Sequence, residues 1–144
     1  MIILLFLVSG LVFTTLAYTS GLLSGSNPLS SSGIVANVNL GVYSNLGCTQ
    51  NVSSISWGTC YPGNSYTSVV YIKNLGTVDT TLTIIATGWN PTSSSGKLTF
   101  STDYTAGRAI APGSSLKVTL TLAVSSLISE ISSFGFNIVI NSQG

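Results

Sequence analysis

Residues 1–23, MIILLFLVSGLVFTTLAYTSGLL, carry no charge and constrain the fold of this chain more than any other feature. As a helix, the segment would span about 34 Å at about 1.5 Å per residue, enough to cross a bilayer core of about 30 Å. Because it is apolar nearly all round, such a helix needs lipid or a fully buried site. The sequence therefore predicts a long apolar N-terminal helix over residues 1–23.

Small residues recur within this segment at the spacing of one helical stripe. They are Gly10, Thr14, Ala17 and Gly21. Small stripes let helix backbones approach closely, so we interpret this one as a helix-packing surface, although the pattern is also compatible with chance. On the packing interpretation, replacing Gly10 or Gly21 with Leu blocks or alters assembly and leaves the rest of the chain folded.

A serine-rich joint, SGSNPLSSSG at residues 24–33, follows the apolar segment. Gly25 and Pro28 end the helix and act as a hinge, and the serines make the joint flexible. We therefore predict three parts: a hydrophobic assembly helix at 1–23, a hinge at 24–33 and a β-sandwich domain at 34–144.

From residue 34 onward, apolar residues alternate with polar ones in short runs that are rich in Thr and β-branched residues. These runs predict strands. They lie at residues 34–42, 68–74, 80–89, 97–101, 116–124 and 134–141. Pro112-Gly113 favours a type II turn, and Ser125–Ser133 is either a short helical turn or a long connection. The predicted class is α+β, with the N-terminal helix followed by an immunoglobulin-like antiparallel β-sandwich of seven or so short strands.

Charge is scarce throughout the chain. Charged residues make up 5 % of the sequence, none precedes Lys73, and the net charge is +1. Because no basic patch exists, nucleic acid is not an expected partner.

The sequence offers few candidate catalytic residues. The chain has no His, which excludes a Ser-His-Asp or Cys-His unit and removes the commonest ligand of transition metals. Asp103 and Glu130 could form a glycosidase pair, but nothing marks them as neighbours. Asp79 and Asp103 lack the companions that a calcium site needs. We predict no catalytic site, no metal site, no cofactor and no enzymatic activity.

Two features suggest export. Cys48 and Cys60 are separated by eleven residues, and a disulfide between them would contribute roughly 3 kcal/mol, the alternative being two buried free thiols. Asn51-Val52-Ser53 is a glycosylation sequon, which makes Asn51 either a sugar site or an unused match.

Several aromatic residues fall at expected turns or strand ends. They are Trp57, Tyr61, Tyr66, Trp89 and Tyr104. Such residues could form a sugar-binding or adhesive face, or they could fill the core and its rim. The sequence alone leaves both interpretations open.

In organisation the whole chain resembles an archaeal type IV pilin of the adhesive-pilus kind. The resemblance rests on the apolar start, the joint at 24–33, and strand phrases such as VVYIKNLGTVDTTLTI and IAPGSSLKVTLTLAV. It implies a prepilin peptidase that removes a basic leader, and a filament with bundled N-terminal helices inside and often glycosylated sandwich domains outside. Bacterial relatives usually carry Glu at the fifth mature position, whereas this chain has Leu5, so either the archaeal variety applies or Met1 is not the mature start.

The expected function is therefore that of a homopolymeric, extracellular pilus subunit, inserted in the membrane before assembly and possibly binding a surface or a sugar. Two alternatives share much of the plan. One is an archaellin, the subunit of the archaeal motility filament, and the other is a membrane-anchored, carbohydrate-binding β-sandwich.

Overall fold

The computed structural model describes residues 38–144, which belong to the second of two units that divide between Ile34 and Val35. The described residues form six strands and one short 3-10 helix. The elements are β1 Leu40–Tyr43, β2 Ser65–Asn74, β3 Thr81–Asn90, η1 Thr92–Ser94, β4 Leu98–Thr102, β5 Ser115–Val124 and β6 Gly135–Gln143.

The strands make two antiparallel sheets. One sheet has four strands in the order β1-β2-β5-β4, and the other pairs β3 with β6. The central pair of the larger sheet is long and in regular register, from Ser65 opposite Ala123 to Lys73 opposite Ser115. The larger sheet therefore offers a regular apolar face for the smaller one to cover.

The core lies between the two sheets. Alternate residues of β2 and β5 point inward, and Val70, Ile72, Val118, Leu120 and Leu122 are at most 1 % exposed. Apolar residues of β3 and β6 pack against this layer from the other side; they include Leu82, Ile84, Ile138 and Ile140. Burying each such side chain contributes roughly 1.5–3 kcal/mol. The apolar faces that the period-two pattern creates on the strands are therefore what the two sheets bury against each other.

The predicted α+β class is wrong for the described chain, which is 49 % strand and 3 % helical. Its helical part is the three-residue η1. Within residues 38–144, no helix is long and apolar enough to cross a membrane. The described part is all-β because its strands alternate in burial and each long one buries one face. The predicted helix at 1–23 and hinge at 24–33, with Gly25 and Pro28, lie outside the described residues.

Several local predictions can be compared with the elements directly. Of the strand predicted at 34–42, residues 38–42 are described: Val38 and Asn39 precede β1, which begins at Leu40 and continues to Tyr43. Ser125–Ser133 is a long connection of turns between β5 and β6. The type II turn is confirmed in its essentials, since Gly113 has φ +75° and the Ser114 N–H donates to the Ala111 carbonyl at 3.0 Å.

The two ends of the sandwich differ, and we name them by where the described chain begins. At the entry end, the Asn39 carbonyl accepts the Leu75 N–H at 2.8 Å, and Thr81 of β3 pairs with Gln143 of β6. At the far end, β2 and β6 begin and β5 gives way to the loop that follows Val124. Ten residues of β2, about 33 Å at about 3.3 Å each, separate the two ends.

Candidate functional site

The two carboxylates considered from the sequence, Asp103 and Glu130, lie on different segments of the fold. Asp103 follows β4, and its Oδ1 accepts the Thr119 N–H at 2.7 Å, whereas Glu130 lies in the β5–β6 connection at the far end. In the described part of the chain, no three His, Cys, Asp or Glu residues gather in a way that could hold a metal ion. The contact that the structure gives Asp103 is therefore the one with the main chain of β5.

The Asp103 contact predicts a small acid dependence of stability. The Thr119 main-chain hydrogen bond lowers the pKa of Asp103 below its ordinary value. A lowered folded-state pKa adds stability that is present above the unfolded pKa of about 3.9 and is lost as the pH falls through the folded value. Because the side chain is exposed, we expect the loss to be modest. Thermal unfolding of the wild type at pH 7 and pH 2 should show it, and Asp103→Asn should flatten it; an unchanged pH profile in the variant would contradict the role.

The aromatic residues named from sequence fall into separate environments. Trp57, Tyr66 and Trp89 pack against a buried cluster of Leu98, Leu122 and Val124 near the far end. Tyr61 is 61 % exposed. Tyr104 belongs to the other core cluster, where its hydroxyl donates to the Arg108 carbonyl at 2.7 Å and accepts the Leu82 N–H at 2.9 Å. Tyr104 is therefore structural, and the far end is where aromatic residues gather.

Phe136 is the centre of this gathering. Its ring centroid lies 4.3 Å from that of Trp89, 5.8 Å from Phe100, 6.2 Å from Trp57 and 6.4 Å from Phe134. These separations are those of offset-stacked and tilted aromatic pairs. We missed Phe134 and Phe136 as candidate site residues, although the alternating run from 134 to 141 placed both on one face of a strand.

A groove of about 740 Å³ opens beside these rings, and we call it the far-end groove. Two loops and the start of β6 line it. The lining includes the segment 55–60, the segment 128–133, and the rings of Trp57, Phe134 and Phe136. Its volume falls in the range of ligand-binding clefts, about 300–1,000 Å³.

A second, smaller cavity of about 380 Å³ continues along β6 between the sheets. Val42 of β1, Ile138 and Ile140 of β6 and Ile55 of the loop are among its walls. Trp57 and Phe136 line both spaces. The two aromatic rings therefore stand between the far-end groove and the inter-sheet cavity.

The structure has Cys48 and Cys60 as free thiols, and the disulfide between them stays a prediction. Each thiol contacts a carbonyl of its own loop: Cys48 Sγ lies 3.7 Å from the Leu46 oxygen, and Cys60 Sγ lies 3.7 Å from the Trp57 oxygen. Cys60 belongs to the wall of the far-end groove, where burial raises the pKa of its thiol.

Free thiols predict a labelling pattern. Without reductant, the native full chain should take up two iodoacetamide groups, and Cys60 should react more slowly than cysteine in a short peptide because its raised pKa leaves less thiolate. Mass spectrometry of timed samples measures both effects, with Cys60→Ala as the control that takes up one group. A chain that accepts no label until it is reduced would show that the disulfide forms.

The remaining sequence-predicted sites divide between exposed and undescribed positions. Asn51 is exposed and pairs with Tyr43 in an isolated antiparallel bridge, while the Val52 N–H donates to the Val42 carbonyl at 2.9 Å. The sequon is thus accessible, and its use stays a prediction. The predicted helix-packing residues lie outside the described part of the chain; they are Gly10, Thr14, Ala17 and Gly21.

Comparison of the chain with models of protein families, with curated proteins and with solved structures returns no match. The site is therefore interpreted from its own residues.

Proposed function

We propose that this chain is the structural subunit of an extracellular filament of the type IV pilus kind, with adhesion as its role. The observation that carries the proposal is the uncharged, apolar segment 1–23 joined by a serine-rich linker to a charge-poor domain. In this proposal the apolar segments of many copies assemble with one another, and the β-sandwich domains present the surface.

Elementary energetics support an assembly role for the apolar segment. Each large apolar side chain removed from water contributes roughly 1.5–3 kcal/mol, and the segment contains more than a dozen of them. Outside a membrane, copies of the same segment are the nonpolar surroundings that this chain itself can supply. The sum exceeds the cost of association, which is estimated at about 4–15 kcal/mol.

The described domain has a surface compatible with presentation to water without much charge. Hydroxyl residues form part of the outer face of the larger sheet, beside Lys73 and Lys117. Thr121 of β5 lies there between Thr67 of β2 and Ser101 of β4. Hydroxyls bond to water over the whole pH range because they do not titrate there. We therefore expect filaments that stay intact from pH 2 to pH 7.

Electron microscopy of surface material from cells that make the chain tests the proposal. Wild-type cells should yield filaments with a regular helical repeat. Leu11→Lys places a charge in the apolar segment and should abolish filaments, whereas Leu46→Lys places the same charge on a side chain that is already 74 % exposed and should leave them unchanged. An immunoblot of the membrane fraction shows whether each variant reached the membrane.

Two other functions predict different results in the same experiment. An archaellin also forms filaments, but its loss abolishes swimming, which a motility assay detects. A membrane-anchored carbohydrate-binding domain, which the far-end groove favours as the second candidate, forms no filament and stays monomeric in detergent.

Prepilin peptidase is the processing partner that the proposal requires. Intact-mass measurement of filament material gives the mature N-terminus, and with it the position of Leu5 in the mature chain. The same spectrum shows whether Asn51 carries a glycan.

A further inference from the structure

The far-end groove lies at the end of the sandwich that is remote from the start of the described chain. The chain enters beside Leu75, and β2 runs the length of the sandwich before the loops that wall the groove are reached. These loops connect strands, and the first described residues do not belong to them. A ligand in the groove would therefore meet no part of the entering segment at Val38 and Asn39.

Both loops leave their main-chain donors unused. From Ser53 to Thr59 and from Ser129 to Ser133, no N–H donates a hydrogen bond to another described residue. Other loops also contain such N–H groups, among them residues 105–107. Because polar main-chain groups must find partners, these donors bond to water and are available to a polar ligand that displaces it.

Side-chain hydroxyls add to this set. Five of them belong to the lining, and none bonds to another described residue; they are Ser56, Thr59, Ser129, Ser132 and Ser133. A hydroxyl both donates and accepts, so this lining matches a ligand whose own groups are hydroxyls.

The rings supply the complementary apolar surface. Trp57, Phe134 and Phe136 are half-buried and line the groove beside the hydroxyls. An aromatic face is electron-rich, and the C–H face of a sugar ring is apolar and slightly positive, so the two stack. A lining of rings and hydroxyls thus suits a ligand with one apolar face and a polar rim.

The charge of the groove lining disfavours acidic ligands. Among the residues that line the groove, Glu130 is the one charged side chain, and no Lys or Arg is present to meet an anion. Glu130 is exposed and has φ +63°, a conformation that is costly for a residue with a side chain and that tends to occur where function requires it. A carboxylate accepts hydrogen bonds from neighbouring hydroxyls of a sugar, whereas it repels an acidic ligand.

We propose that the far-end groove binds a neutral glycan. A sugar ring stacks on Trp57, its hydroxyls donate to the Glu130 carboxylate, and the free N–H groups of the two loops donate to its oxygens. The adhesive role of this groove rests on the proposed function. The inference goes further than that function because it names the class of ligand to which the filament would attach. An extended peptide fits less well, because the groove meets β6 at Gly135 and Phe136 and offers no length of strand edge for a ladder.

Titration of the full chain with defined oligosaccharides tests the proposal. The probes are maltoheptaose, cellohexaose and chitohexaose as neutral glycans, a hyaluronan hexasaccharide as an acidic one, and a gelatin peptide as the non-glycan competitor. Calorimetry should show binding of at least one neutral probe, and none of the acidic probe or the peptide. Tryptophan emission should change on binding, and Trp57→Phe should remove most of that change while Trp89 remains.

Glu130→Gln is the decisive variant, with Asp79→Asn as its matched control. Both carboxylates are exposed, but Asp79 lies at the entry end, beside the bridge between Thr80 and Ile110. Because hydrogen bonds to a charged group are strong, we expect Glu130→Gln to weaken binding about tenfold or more and Asp79→Asn to leave it unchanged. Circular dichroism of both variants confirms that the sandwich is folded.

The outcomes separate this inference from the proposed function. Filaments without binding of any neutral probe, or equal effects of the two variants, would overturn the inference and leave the filament proposal standing. Binding with the expected variant pattern but without filaments would establish the groove and favour the membrane-anchored candidate. Binding of the gelatin peptide in preference to the glycans would replace the proposed ligand class.

Discussion

Replacing Asn74 with Asp will lower the free energy of unfolding at neutral pH by about 3–5 kcal/mol, because it leaves an uncompensated charge in the core. Asn74 is 0 % exposed at the end of β2. Its amide donates to the Val78 carbonyl at 2.7 Å and to the Ile110 carbonyl at 2.8 Å, and its Oδ1 accepts the Gly76 N–H at 2.8 Å. One side chain thus holds together the turn after β2 and the loop before β5.

The aspartate variant should also make stability depend on pH. Burial and two facing carbonyl oxygens raise the folded-state pKa of an Asp at position 74 above its unfolded value of about 3.9. Because the folded-state pKa is raised, the variant is least destabilised below the unfolded-state pKa. It loses stability as the pH rises from there through the folded-state pKa. Even the protonated Asp has one O–H donor for the two carbonyls of Val78 and Ile110, so a deficit of about 1–3 kcal/mol is expected near pH 3, and a larger one at pH 7.

Urea denaturation of the full chain at pH 3 and pH 7, followed by tryptophan fluorescence, measures the effect. Both tryptophans, Trp57 and Trp89, lie in the sandwich and report its unfolding. Asn141→Asp is the matched control, because Asn141 is exposed on β6, and its change should stay within about 0.5 kcal/mol. An Asn74→Asp protein as stable as wild type at pH 7 would show that the three hydrogen bonds do not hold the entry end.

Replacing Phe136 with Ala is expected to cost about 2–3 kcal/mol, less than for a fully buried Phe because the ring is half-buried, through lost packing and the space that remains. The ring contacts four other aromatic rings and separates the far-end groove from the inter-sheet cavity. Its removal leaves Trp89, which stacks on it at 4.3 Å, without its nearest aromatic partner. The variant should therefore lose stability and connect the two spaces.

Denaturant unfolding again provides the measurement, with Val139→Ala as a control on the same strand. Val139 is half-buried and lies on the outer face of β6 opposite Ile85, so its truncation should cost about 1 kcal/mol or less. A cost below about 1 kcal/mol for Phe136→Ala would mean that the far end repacks around the missing ring. In that case the groove would owe its shape to the loops alone.

Local patterns in the sequence predicted much of the strand content. The alternation of Leu116, Val118 and Leu120 with polar residues assigned each side chain of β5 to a face, and the structure buries these three residues. The Pro112-Gly113 turn followed from two residues whose backbone preferences are strong. Such features depend on neighbours one to three positions away, which a single sequence displays.

Features that depend on distant partners were not predictable in the same way. Asn74 ends a strand like many exposed asparagines, and its main partner, the Ile110 carbonyl, is 36 residues away. The sequence leaves open whether Tyr104 belongs to a sugar-binding face or to the core, and the structure bonds its hydroxyl to Arg108 and Leu82 inside the fold. The spacing of Cys48 and Cys60 allowed a disulfide, but each thiol contacts its own loop.

Alternating apolar residues identified the buried faces of β5 and β6, Pro112-Gly113 located a sharp turn, and composition limited the charge that the surface can carry. These properties follow from the period of a strand, the geometry of Pro and Gly, and composition. The tertiary structure alone decided that Trp57, Phe134 and Phe136 meet beside two loops with unused donors, and that Asn74 closes the entry end. The meeting depends on how the two sheets pack, and residues from 55 to 136 come together there because burial of the core, not proximity in the chain, sets their places.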